Sequence, residues 1–353
     1  MKFLVWPGDG IGLEIVPVAV AALEALDARF KLDVELAEQP IGLASLATDG
    51  NTLPDSSIEA ARDSDGVIMG PVHSLAYPPI EEGGRSPSGV IRKELDLYAN
   101  IRPARTRPGV PAAVKSMDLV IARENTEGFY ADRSMFQGSG EFMITEDVAT
   151  AVRKITRQAC QRIGETACRL AMQRRRKVTI VTKKNVLQLS DGLFHDTVRE
   201  VAKNYGQVEV DDVIIDAMTA LLVRTPEAFD VVVTSNMYGD ILSDLANELA
   251  GGLGLGGSVN AGDDHAIAQA VHGSAPDITG QDLANPTAIA LSLAMLLTWL
   301  GDRHGRREYI EAAKTLEAAI DDQLADEKGR TKDLGGPLGT TAFGTELVAR
   351  LAG

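Results

Sequence analysis

The sequence predicts an α/β protein, a mostly parallel sheet flanked by helices and shared between two domains. Short apolar runs bounded by glycine, proline or polar residues, such as GVIMGP, VTIVT and FDVVVTSN, have the composition of strands buried on both faces. Longer stretches with helical spacing of apolar residues lie between them, and this alternation is what parallel strands joined by crossover helices require. At 353 residues the chain is long for one simple domain and comfortable for two.

Taken in order, KFLVWP is the first strand, followed by a Gly-rich turn and a helical stretch from Leu13 to Leu26. KLDVELA reads as a strand, SSIEAARDS as a short helix and GVIMGP as a buried strand. MDLVIARE, VTIVT, VEVDDVIID and FDVVVTSN follow as strands, interleaved with the long helical pattern DVATAVRKITRQACQRIGETACRLAM. Pro103 is expected to end regular structure at Arg102, and Gly251 to Asp264 reads as a loop whose backbone could approach a ligand closely. AIALSLAMLLTWL, Ala288 to Leu300, is too short to cross a bilayer and reads as a buried core helix. No internal repeat or low-complexity tract interrupts the pattern.

Composition narrows the function. Hydrophobic content of 44% and charged content of 24% belong to a globular protein. A formal net charge of −15 leaves no excess of Lys and Arg to displace phosphate counterions, so nucleic acid is not an expected partner. The basic run Arg174-Arg175-Arg176-Lys177 reads as a solvated helix end. The opening MKFLVWPGDG breaks at Pro7 and Gly8 before an apolar stretch develops, which predicts no signal peptide. Cys160 and Cys168 are eight apart on one helical pattern, too far to bridge each other, as expected of free thiols in a reducing cytoplasm.

The densest chemistry lies in TSNMYGDILSD. Asp240 and Asp244 are four residues apart at the start of a helix, which places their Cβ atoms about 5–6 Å apart on one face. Clustered carboxylates suit a hard divalent cation at the C-terminal edge of a sheet, where ligands of open α/β folds collect. Two acids near a helix N-terminus also suit the helix dipole, so the spacing alone leaves both readings open. Arg92, Arg102 and Arg123, if they converge, would suit a substrate with several carboxylates, because guanidinium forks bind carboxylates bidentately. The N-terminal GDGIG is not a Rossmann fingerprint: the position needing glycine or alanine is Leu13, and no acidic residue ends a second strand about twenty residues on.

In combination these segments resemble the metal-dependent β-decarboxylating dehydrogenases, which act on isopropylmalate, isocitrate, homoisocitrate, tartrate or D-malate. The likeness runs from WPGDGIGLEI through RKELDLYANIRPA, ARENTEGFYA, KKNVLQLSDGLF, IIDAMTALLV and NMYGDILSDLANELAGGLG to HGSAPDITGQDLANPTAIALS. It implies the isopropylmalate-dehydrogenase-like two-domain fold. Residues 1–97 and 247–353 would form a cofactor-binding domain, and 98–246 a domain for substrate, metal and dimerisation.

The resemblance also implies roles. Arg92, Arg102 and Arg123 would grip the malate moiety. Tyr130 would be the acid of the decarboxylation half, and Lys183, from the other subunit of a homodimer with shared active sites, the base on the hydroxyl. Asp216, also from the other subunit, would complete a Mg2+ or Mn2+ site with Asp240 and Asp244. The loop His272, Gly273, Ser274, Ala275, Pro276, Asp277, Ile278, with Asn285, would hold the adenosine half of the cofactor, and Gly10 and Ile11 would lie near the nicotinamide. A carboxylate at Asp277 accepts hydrogen bonds from a ribose 2′-hydroxyl and repels a 2′-phosphate; NADP-dependent relatives carry lysine and tyrosine where this chain has Asp277 and Ile278, so NAD is expected.

Two departures stand out. The family's Glu-Pro-Val-His before the HGSAPD loop is here Gln269-Ala270-Val271-His272, which touches the nicotinamide end. Isopropylmalate enzymes place leucines four and three residues before the first arginine, where this chain has Ser88 and Gly89. Isocitrate enzymes have a serine six before it and an asparagine four before; here these are Ser86 and Ser88, with Arg85 adjoining. A hydroxyl-lined pocket with a nearby cation favours an isocitrate- or homoisocitrate-type substrate. Isopropylmalate and D-malate or tartrate are the alternatives. A non-catalytic regulatory subunit is the alternative of another class, against which stand the intact Lys183, Tyr130, Asp216, Asp240 and Asp244.

Overall fold

The computed structural model describes residues 1–130 and 135–352. Along the chain run β1 (Lys2–Trp6), α1 (Gly12–Phe30), β2 (Glu35–Glu38), α2 (Leu43–Asp49), α3 (Asp55–Arg62), β3 (Gly66–Met69), α4 (Pro87–Glu94), β4 (Ala99–Arg105) and β5 (Asp118–Glu124). Then come β6 (Glu141–Thr145), β7 (Val148–Ala151), α5 (Arg157–Met172), β8 (Lys177–Thr182), α6 (Ser190–Ala202), β9 (Glu209–Ile214), α7 (Ile215–Arg224) and β10 (Val231–Thr234). The chain closes with α8 (Asn236–Ala250), β11 (Val259–Ala261), β12 (Ala266–Gln269), α9 (Thr287–His304), α10 (Arg307–Ala325) and α11 (Thr340–Ala352).

Ten strands form one sheet in the order β2-β1-β3-β12-β11-β4-β5-β10-β8-β9. It is parallel except around β11 and β4, which run antiparallel to their neighbours. The continuous apolar runs have a direct physical reading, because successive side chains leave a strand on opposite faces. Phe3 and Val5 join one core with Ile15, Leu23, Leu297 and Phe343, while Leu4 and Trp6 join a second with Ile58 and Ile91. Val231 and Val233 likewise lie in the first core, and Val232 in a third with Met218, Leu222 and Leu242. No helix among the described residues is long and apolar enough to cross a membrane.

Five local expectations are corrected. The segment KLDVELA is not all strand: Lys31 and Asp33 take left-handed backbone after α1, so β2 begins only at Glu35. The pattern from Asp147 to Met172 is helical only from Arg157. Thr156 caps that helix by accepting from the Ala159 amide at 3.2 Å, and the alternating Val148–Ala151 before it is an antiparallel strand paired with β6. The Gly251–Asp264 segment contains β11, inserted between β4 and β12. Pro103 sits inside β4, which continues to Arg105; β11 pairs with β4 only through Ala99–Ile101, so beyond there one side is open and a missing N–H is tolerated. The basic run is not a simply solvated end, since Arg174 pairs with both Asp118 and the buried Asp230 at 2.7 and 2.8 Å.

Candidate active site

The site is built where β4, β5 and α8 meet. Arg102, on β4, and Arg123, on β5, have side chains only 5% and 3% exposed, and both reach the Asp240 carboxylate at the start of α8. Arg102 Nη1 lies 3.1 Å from Asp240 Oδ1 and 3.6 Å from Asp244 Oδ1, and donates to Ser243 Oγ at 2.7 Å. Arg123 donates through Nε and Nη2 to Asn236 Oδ1 at 3.0 and 2.7 Å. Gly239 permits this approach, since a Cβ there would stand 2.6 Å from Arg123 Cγ. Tyr130 donates to Asp240 Oδ2 at 3.5 Å.

Burial raises the Asp240 carboxyl, but Arg123, Arg102 and Arg92 together bring it below its usual value. Asp244 goes the other way: burial raises it, Arg102 opposes, and the Asp240 charge adds to the rise. An ionised Asp244 is thus held at an energetic disadvantage that a cation between the two carboxylates would remove. The oxygen donors and their partial exposure, 38% and 53%, fit a hard divalent ion open to substrate.

No three Asp, Glu, His or Cys groups come together as a metal cage among the described residues. Asp216, from α7, pairs instead with Lys183 Nζ, and this hydrogen bond is the main cause that lowers its carboxyl. The Lys183 amide is anchored on Asp191 Oδ2 at 2.5 Å. The structure thus gathers Arg102, Arg123, Tyr130, Asp240 and Asp244, and pairs Lys183 with Asp216 in a group of its own.

On α4, Ser88 and Arg92 share a face, and the Arg92 charge acts on Asp240. Ser86 caps this helix, its Oγ accepting from the Gly89 amide at 3.4 Å. Arg85, expected as the pocket's cation, is engaged elsewhere, with Asp55 at 2.7 Å and the Leu53 carbonyl at 3.2 Å. Ser88 Oγ accepts from Gln269 Nε2 at 3.0 Å, which leaves Ser88 and Arg92 as the polar groups on this face of α4.

The loop from His272 to Ile278 docks on the Gly-rich turn. The Ile11 amide donates to the Ser274 carbonyl at 2.9 Å, and a Cβ at Gly10 (φ +58) would meet that oxygen at 2.1 Å. Gly273, Pro276 and Asp277 are exposed, Ala275 and Ile278 half-buried, and Pro276–Ile278 forms a 3₁₀ turn. The His272 imidazole is pushed below its ordinary value by burial, and its Nε2 is buried with no hydrogen-bond partner among the described residues. The buried Asn285 donates to the exposed Asp333 at 3.0 Å, whose charge also acts on His272. Gly10 serves the loop's own docking, and the orphaned ring nitrogen in a loop whose Gly273, Pro276 and Asp277 stay exposed fits a nucleotide.

Several contributors escaped sequence reasoning. Asn236 and Ser243 lie one turn either side of Asp240, so the helical spacing that exposed the acids would also have found them. Asn100 lies two residues before Arg102 on the same strand face and accepts from its Nε at 2.6 Å. Asp9 is buried in GDGIG, accepting from the Leu43 and His73 amides at 2.7 and 2.8 Å and from the Tyr77 hydroxyl. Asn260 had no local signal at all.

An α/β fold with paired acids and converging arginines at its sheet edge defines a class that sequence comparison makes explicit. The family profile described as isocitrate/isopropylmalate dehydrogenase matches residues 2–348. The chain belongs to this family and is a decarboxylating dehydrogenase. It is 44% identical over 348 residues to the isocitrate/homoisocitrate dehydrogenase of Thermus thermophilus, covering 98% of this chain and 96% of that protein. It is 41% identical to the 3-isopropylmalate dehydrogenase of Archaeoglobus fulgidus, covering 99% of each. The crystal structure of isocitrate dehydrogenase from Methylococcus capsulatus superposes with a TM-score of 0.89 at 38% identity, covering 100% of this chain and 99% of that one.

Proposed function

We propose that the protein oxidises and decarboxylates a 3-substituted malate of the isocitrate or homoisocitrate type, using NAD and Mg2+ or Mn2+. The observation that carries the substrate reading is Ser88 on the face of α4 that also bears Arg92. A hydroxyl beside a guanidinium suits a third carboxylate, and leaves an isopropyl group against polar atoms that it cannot satisfy. The 44% identity to a protein named isocitrate/homoisocitrate dehydrogenase agrees with this choice.

Arg92, Arg102 and Arg123 would hold the malate carboxylates. The partner's Lys183 would take the C2 hydroxyl proton. Tyr130 would return a proton to C3 after carbon dioxide leaves. Asp240 and Asp244, completed by the partner's Asp216, would hold the cation, which supplies Lewis acidity at the hydroxyl and carbonyl oxygens. His272, the Ser274 loop and Asn285 would hold NAD, which supplies the hydride acceptor. The exposed Asp277 on its 3₁₀ turn favours a ribose 2′-hydroxyl over a 2′-phosphate.

A homodimer with shared sites is the partner reading. The β6–β7 hairpin exposes Phe142, Met143, Ile144 and Val148; Val186 and Leu189 are open beside Lys183, and Ile241 is open on α8. Such apolar surface next to an incomplete set of catalytic groups suits a second copy.

The test is turnover of isocitrate, homoisocitrate, isopropylmalate, D-malate and tartrate with NAD and with NADP in the presence of Mn2+. The highest kcat/KM is expected for a tricarboxylate with NAD. Higher efficiency with isopropylmalate would overturn the substrate reading. Binding without turnover across the panel would favour a regulatory subunit instead.

A further inference from the structure

A buried chain of hydrogen bonds runs from the arginine cluster to the substrate pocket, and its direction is forced. The Arg102 guanidinium can only donate, so the Asn100 atom that receives its Nε, at 2.6 Å, is the side-chain oxygen. The Asn100 nitrogen must then face Asn260, and it donates to Asn260 Oδ1 at 2.5 Å. Asn125 Nδ2 donates to that same oxygen at 3.0 Å, while also donating to the Leu97 carbonyl at 2.8 Å. The Asn260 nitrogen therefore faces Gln269, donating to its Oε1 at 3.4 Å. Gln269 is left to present Nε2 to Ser88, and does so at 3.0 Å.

Each amide has two ends, and one obligate donor sets them all. Asn100, Asn125, Asn260, Arg102 and Gln269 are all buried, so misdirected partners would leave more polar atoms unpaired away from water than the one, Asn125 Oδ1, that this arrangement leaves without a partner among the described residues. The Gln269 backbone is pinned as well: its amide donates to the Ser258 carbonyl at 3.1 Å, and its carbonyl accepts from Ser258 Oγ at 2.6 Å.

We propose that Gln269 is a positioning residue for substrate specificity: by donating to Ser88 Oγ it frees the Ser88 proton to be donated to an anionic 3-substituent held beside Arg92. A carboxylate at position 269 would have the opposite effect. It would accept the Ser88 proton, turn the serine's lone pairs toward the substrate, and place a negative charge behind them. The departure from glutamate at 269 and the departure from leucine at 88 are then one adaptation. The inference rests on the substrate reading above and deepens it.

The experiment compares Gln269→Glu, Ser88→Ala and the double variant on isocitrate, homoisocitrate and D-malate, which lacks a 3-substituent, with Tm and the KM for NAD measured alongside. Gln269→Glu is expected to lower kcat/KM for the better tricarboxylate by about ten- to a hundredfold more than for D-malate, mainly through KM for the tricarboxylate, any effect at the nicotinamide end being common to both substrates. In the Ser88→Ala background this excess loss from Gln269→Glu should shrink to within about threefold, since the group through which it acts is gone. Equal losses on tricarboxylate and D-malate, or an undiminished loss without Ser88, would overturn the assignment. If Gln269→Glu does not fold, Gln269→Met keeps the volume without the charge or the donor, and must still discriminate against the tricarboxylate relative to D-malate. The two claims fail separately: the unmodified enzyme's panel decides the substrate reading, and a tricarboxylate-active enzyme whose variants show no split contradicts Gln269 alone.

Discussion

The arginine–aspartate cluster and the Lys183–Asp216 pair differ in how completely the fold supports them. Arg102 and Arg123 are buried; Arg102 is held by Asp240 and Ser243 from α8 and by Asn100 from β4, and Arg123 by Asp240 and Asn236 from α8. Lys183 and Asp216 meet each other at the surface, with side chains 28% and 69% exposed. Buried guanidiniums without partners would be strongly destabilising, and both are paired within one chain, although Asn236 Nδ2 beside them is buried with no partner among the described residues. The exposed half is solvated in one chain, and under the proposed dimer a second copy would cover it. Under that dimer reading the site would have a preorganised half and a half that awaits assembly.

The largest expected effect lies in the arginine–aspartate cluster. Asp244→Asn removes a carboxylate of the proposed cation site without opening a cavity. Cation stabilisation of the reacting oxygens is worth several kcal/mol, so turnover should fall by about a thousandfold or more while Tm stays close to that of the unmodified protein. Full activity at saturating Mn2+ or Mg2+ would remove Asp244 from the metal site. The next effect is on selectivity. Ser88→Leu with Gly89→Leu adds methylenes where the polar pocket is read, and should shift relative kcat/KM toward isopropylmalate by about ten- to two-hundredfold. An unchanged ratio would place the 3-substituent elsewhere.

The smallest effect belongs to the exposed side, where Asp212 on β9 lies near Lys184, His195 and Arg199. Partial burial raises its carboxyl, but the hydrogen bonds from Arg199, His195 and Lys184 outweigh that and lower it from 3.8 to about 2. A depressed carboxyl contributes stability that is present above its unfolded value and is lost as pH falls through the folded one. Asp212→Asn should therefore lower stability at neutral pH by under about 1 kcal/mol, given solvent screening, with the difference closing between about pH 4 and pH 2. Urea titrations at pH 7 and pH 3 measure it; a gap that widens on acidification would contradict the assignment.

Much of this contrast was legible in the sequence. Apolar runs exposed the sheet because both faces of β1 and β10 are buried, and the four-residue spacing of Asp240 and Asp244 survived as one helix face. What escaped depends on pairings remote in sequence. Alternation in Val148–Ala151 was absorbed into a helical pattern because its partner strand, not its own residues, makes it a strand. Pro103 looked like a terminator because β11, which leaves one side of β4 open, arrives more than 150 residues later. The relay through Asn260 and Gln269 likewise joins residues up to 181 positions apart, and no local period announces it.

The central claim is that one chain holds only part of a working site, and subunit mixing tests it most directly. Lys183→Ala and Tyr130→Phe should each be inactive as homodimers. If Lys183 acts across the interface, a heterodimer regains one intact site, and statistical mixing should restore about a quarter of the unmodified turnover. Heterodimers shown to form but without activity would place Lys183 and Tyr130 in the same subunit's site, and would contradict the divided arrangement.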